Sequence, residues 1–154
     1  MRGCRLEFAA PAPAGKRADG GALLPELGAV PGVDVLAGLA NVLDDREKYL
    51  ELVGSLVDSI PSRLSACRHA VESGDREAAR HEAHSLKGAG GTLGLVAIAE
   101  AAAVVESKLR QLDGLEAHGD TIRAGLDALG ALAAELANAV ELEQRAGMGD
   151  GVES

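Results

Sequence analysis

Residues 81–95, HEAHSLKGAGGTLGL, combine a histidine, a lysine and several glycines at helical spacing. On a wheel of about 100° per residue, Glu77, Arg80, His81, Lys87, Gly88 and Gly91 fall within about 60° of His84. Ala79, Ala83, Leu86, Gly90 and Leu93 fall on the other side and form a core face. His84 is therefore expected to face solvent, since a histidine kept for packing would sit among the leucines. A glycine inside a helix costs about 0.8–1 kcal/mol relative to alanine, so Gly88, Gly90 and Gly91 together cost about 2–3 kcal/mol. Gly90 faces inward, where close packing accounts for it. Gly88 and Gly91 face outward, where bare backbone is explained by something approaching His84 closely. Lys87 lies within reach of any group attached to His84 and would offset negative charge there. An exposed nucleophile, clearance above it and a neighbouring cation suit phosphoryl transfer, in which positioning and charge stabilisation do most of the catalysis.

These residues need a helical frame, and the composition supplies one. The chain has 154 residues with 15 Lys+Arg against 24 Asp+Glu, a net charge of −9. Phe8 and Tyr49 are its only aromatics, and the apolar share is mostly Ala, Leu and Val. Such a composition disfavours a β sandwich or barrel and favours packed helices. The acidic balance argues against a nucleic-acid partner and against docking on anionic lipid. No apolar run approaches the ~20 residues of a membrane span, so no membrane insertion is expected. Arg5, Glu7 and Pro11 break up any secretory-signal core, which makes a cytoplasmic location the expectation. Cys4 and Cys67 form no C-x-x-C pair, and Cys67 lies on an apolar stripe as a buried reduced thiol.

Residues 1–27, rich in Ala, Pro and Gly, read as a flexible leader, residues 28–146 as one bundle, and residues 147–154 as a flexible tail. A short apolar turn from Val33 to Leu39 precedes Asp44 and Glu47, whose spacing resembles a capping box. The helix this opens carries Tyr49, Val53, Leu56, Ile60, Leu64, Cys67 and Val71 on one face, with Pro61 expected to kink it. Gly74-Asp75 reads as a helix stop followed by the next N-cap. A third helix has Ile98, Ala102, Val105, Leu109 and Leu112 inside and stops at Asp113-Gly114. The last has Ile122, Leu126, Leu129, Ala133, Leu136 and Val140. The expected fold is all-α: an antiparallel up-down four-helix bundle with a short extra N-terminal helix.

Other chemistries fit less well. In GAGGTLG, Leu93 stands where a dinucleotide loop needs its third glycine, and no strand precedes it. No G-x-x-x-x-G-K-[ST] exists, so autonomous kinase activity is not expected. His81-Glu82-Ala83-His84 is one residue short of H-E-x-x-H, and although Glu77 one turn earlier could join the two histidines, no histidine has a glutamate three residues before it, so no metal is expected. His69 and His118 read as solvated, His81 as a polar neighbour of the site or a plain surface residue, and Glu100 and Glu106 as a solvated face. A helical module that docks a partner without chemistry is the main rival, and it would not need the histidine.

His84-Ser85-Leu86-Lys87-Gly88, followed by small residues and Gly94-Leu95, resembles the signature of histidine-containing phosphotransfer (HPt) domains of two-component relays. The resemblance extends over about residues 28–112, through PGVDVLAGLANVLDDREKYLELV, the Gly74-Asp75 turn and AIAEAAAVVE. Gly90 and Gly91 depart mildly from it, standing where the family usually has alanine or serine. It implies that His84 accepts a phosphoryl group from the aspartyl phosphate of a response-regulator receiver, or of a hybrid histidine kinase, and passes it to another receiver. It further implies that Lys87 stabilises the phosphoryl group and Gly88 gives the receiver room, with Arg80, His81 and Gly91 on the contact surface. Mg²⁺ is expected on the receiver, with no cofactor on this chain, which is expected to be a monomer.

Overall fold

The computed structural model describes residues 24–111 and 118–153, with side chains as far as residue 146. Two short helices, α1 (Pro25–Gly28) and α2 (Val35–Ala40), precede four longer ones. These are α3 (Arg46–Ser73), α4 (Arg76–Thr92), α5 (Val96–Arg110) and α6 (Gly119–Glu153). Short connections turn each long helix back along its predecessor, and α3 packs on α4, α4 on α5, α5 on α6 and α6 on α3. The result is the expected up-down four-helix bundle. No strand occurs among the described residues; Val33 and Leu95 form one isolated antiparallel bridge.

The apolar stripes meet inside as their spacing requires. Tyr49, Val53, Leu56, Ile60, Leu64 and Cys67 of α3 are buried, with Val71 packed at the edge. They face Ala79, Ala83 and Leu86 of α4, Ile98 through Leu109 of α5, and the six expected residues of α6. Burial, with the Glu82 carboxylate nearby, pushes the Cys67 thiol up to about 11, so it is a protonated core thiol. The α3–α4 turn has its expected chemistry. Gly74 takes φ +81, which a side chain would resist, and Asp75 accepts a hydrogen bond from the amide of Ala78 at 3.1 Å.

Pro61 lies exposed within α3, which runs through it from Arg46 to Ser73. Three expectations change. The cap of α3 is Asp45, not Asp44: Leu43 and Asp44 turn left-handed at φ 58 and 60, and Asp45 accepts from the Lys48 amide at 3.0 Å. Residues 24–27, assigned above to the leader, are packed: Leu24 and Leu27 are fully buried and α1 lies against α6. α6 continues to Glu153, through the segment expected as a tail. Leu112 and the Asp113-Gly114 stop lie outside the described residues, as do residues 1–23.

The far end of α4, beyond the histidine, is anchored by the start of α3 and by residues flanking α2. Tyr49 donates its hydroxyl to the Leu93 carbonyl at 2.7 Å, and Asn41 donates to the Thr92 carbonyl at 2.7 Å. Burial first, then the negative charge of Asp34, pushes the Tyr49 phenol up to about 12, so it stays a donor. Gly94, at φ +74, passes so close to Asp34 that a side chain there would strike the Asp34 carbonyl. Its own carbonyl accepts from the Asp34 amide at 2.7 Å. α4 is thus fixed in both position and rotation, which sets where its outer face points.

Candidate functional site

The outer face of α4 carries the residues singled out above. The His84 side chain is 59% exposed. Gly88 and Gly91 are exposed too, and a Cβ built on either would meet nothing within 4 Å. Gly90 differs, because a Cβ there would press on Ile98 at 3.1 Å and the Ala99 amide at 3.3 Å. Close packing between α4 and α5 therefore accounts for Gly90 but leaves Gly88 and Gly91 unexplained by the fold. His81 is exposed, as are His69 and Glu100.

Glu106 of α5 is the departure. Expected on a solvated face, it is 2% exposed and lies under the site. Its Oε2 is 2.7 Å from His84 Nδ1, its Oε1 accepts from Lys87 Nζ at 2.7 Å, and Arg80 approaches Oε2 at 3.8 Å. The hydrogen bond from Lys87, with a further contribution from His84, holds the Glu106 carboxyl below the usual carboxylate range despite the opposing effect of burial. Glu106 is therefore ionised at neutral pH and can only accept. Nδ1 must then carry the proton, which leaves the lone pair of the imidazole on Nε2, its other ring nitrogen. Lys87, expected beside the histidine, is also paired to the same carboxylate. Arg80 is shared as well: it forks onto Glu77 at 3.0 Å and holds that exposed carboxyl low.

A signal for Glu106 existed in the sequence. It lies four residues after Ala102 and three before Leu109, on the apolar stripe of α5. A carboxylate on such a stripe needs hydrogen-bond or ionic partners from another element.

Residues 51–142 match the family model for the Hpt domain. The chain belongs to the Hpt family. A solved structure, the HPT domain from an Hpt sensor hybrid histidine kinase of Shewanella, is 19% identical to this Hpt domain with a TM-score of 0.58. The match covers 72% of this chain and 92% of that one, and at this identity it speaks for the fold. No curated protein matches. Among the described residues of this Hpt domain, no helix is long and apolar enough to cross a membrane. Among them, too, no three His, Cys, Asp or Glu side chains are grouped to hold a metal ion. Hpt membership gives the chain a role in two-component phosphorelay.

Proposed function

We propose that His84 accepts a phosphoryl group on Nε2 from the aspartyl phosphate of a receiver domain and returns it to a second receiver. The observation that carries this reading is the pairing of His84 Nδ1 with the buried Glu106 carboxylate, which orients the ring and leaves Nε2 as the nucleophile. In the step itself, the Nε2 lone pair forms a bond to phosphorus as the bond from phosphorus to the aspartyl oxygen breaks. The aspartate leaves as a carboxylate, so no proton need move. The imidazole ring gains positive charge while Nδ1 keeps its proton, and the Glu106 carboxylate stabilises that charge. Lys87, next to His84 and half-exposed, neutralises the phosphoryl oxygens. Gly88 and Gly91 leave the space through which the receiver brings its aspartate within bonding distance. Arg80 and His81 flank that approach. Magnesium, where the reaction needs it, would come with the receiver.

Transfer requires the neutral imidazole and weakens as the ring takes a second proton. The reading is tested by incubating the protein with a phosphorylated receiver and following acid-labile, base-stable label. Label that vanishes in His84→Gln and survives in His81→Gln supports it; label that persists in His84→Gln overturns it. A wild-type protein that binds the receiver and takes no label is a docking module instead.

A further inference from the structure

Each oxygen of Glu106 has one close partner, Lys87 on Oε1 and His84 on Oε2. Phosphorylation upsets this balance. A phosphoryl group brings about two negative charges, and the nearest ammonium able to meet them is the one already held by Glu106. If Lys87 turns to the phosphoryl group, Oε1 loses its partner inside the protein and His84 on Oε2 is left as the close partner, and a buried carboxylate with one oxygen unsatisfied is unfavourable. Arg80 stands ready on the same carboxylate. Its Nε and one terminal nitrogen are engaged by Glu77, while the other terminal nitrogen, at 3.8 Å from Glu106, is within ion-pair range and too long for a hydrogen bond. The Arg80–Glu77 pair is a solvent-facing i, i+3 contact with the Glu77 side chain 68% exposed, so surrendering it costs little.

We infer that Arg80 is the reserve counter-ion of the site: as Lys87 moves from Glu106 to the phosphoryl group on His84, Arg80 leaves Glu77 and takes the vacated place on Glu106. This rests on the reading that His84 is the phosphoacceptor. Arg80 is then a positioning residue, acting through Glu106 without touching the transferred group. Buried and exposed charge are both satisfied before and after transfer. Reversibility follows, since neither state strands the carboxylate.

The test is the equilibrium ratio of phosphorylated Hpt protein to phosphorylated receiver, measured with the full chain. Arg80→Ala is expected to move it about tenfold toward the receiver, the effect of losing one charged partner of a buried carboxylate. Arg80→Lys is expected to restore most of it. Against a Glu106→Gln background, where no buried charge needs a substitute, Arg80→Ala is expected to have no further effect. With phosphoramidate as donor, which needs no receiver and releases ammonia, Arg80→Ala is expected to melt lower once phosphorylated than before, while wild type changes less. An unchanged ratio in Arg80→Ala overturns the inference, as does an Arg80→Ala effect undiminished in the Glu106→Gln background, which would mean direct contact with phosphate or receiver. A wild-type chain that takes no label from any phosphorylated receiver would instead overturn the reading on which this rests.

Discussion

Glu106 and Glu143 are the two charged side chains buried among the described residues, at 2% and 1% exposure, and both lie on apolar stripes. Their partners differ in kind. Glu143 of α6 accepts the backbone amides of Glu26 and Leu27, both at 2.9 Å, and lies 3.9 Å from Arg46. It ties α1 to the bundle through backbone amides. Glu106 accepts from His84 and Lys87, side chains that are 59% and 39% exposed and free to meet another molecule. A buried carboxylate fixed to backbone holds a fold together. One fixed to half-exposed side chains sets the orientation and charge of a reactive surface.

The comparison breaks or sharpens under substitution. Glu143→Ala strands two amide donors and is expected to cost about 2–4 kcal/mol by chemical denaturation, with transfer rate per folded molecule unchanged. A transfer defect in this variant would erase the distinction. Glu106→Gln keeps the shape and an acceptor but loses the charge. It is expected to slow transfer about tenfold, the equivalent of about 1.4 kcal/mol, in single-turnover kinetics while altering stability less than Glu143→Ala does. Stability lost without any kinetic effect would make Glu106 a second Glu143.

The pH dependence sharpens the same point. The folded Glu106 carboxyl lies below its unfolded value, so the unfolded chain binds more protons as pH falls through that window. Its stabilisation is complete above the ordinary glutamate value of about 4.3 and is lost as pH falls through the lower folded value. The stability difference between wild type and Glu106→Gln should therefore stay level from neutral pH to about 5 and shrink below about 4. The smallest stability effect is at Gly88. A Cβ at Gly88 meets nothing within 4 Å, so Gly88→Leu should raise helix stability by up to about 0.8 kcal/mol and yet slow transfer from a receiver. Fast transfer in that variant would sink the clearance argument.

Much of this was legible beforehand for a physical reason. Helical periodicity records burial directly, so the inward stripes of α3, α4 and α6 and the outward face of His84, Gly88 and Gly91 could be read from spacing alone. What escaped depends on contacts distant in sequence. Glu106 meets His84 across 22 residues and Glu143 meets Leu27 across 116, so a place on an apolar stripe marks each carboxylate as buried without naming its partner. Leu24 and Leu27 were hidden in the same way, since four residues of helix have no period to detect and gain their order from α6. The shift of the α3 cap from Asp44 to Asp45 came from two left-handed residues, Leu43 and Asp44, that neither residue type announces.

The central claim is that Glu106 holds the Nδ1 proton and so leaves Nε2 to take the phosphoryl group. Nitrogen-15 NMR of the wild-type chain, phosphorylated by its receiver and labelled in histidine, tests it most directly. The account predicts phosphorus coupled to Nε2 of His84, with Nδ1 still protonated. Phosphorus on Nδ1, or on a histidine other than His84, would contradict it.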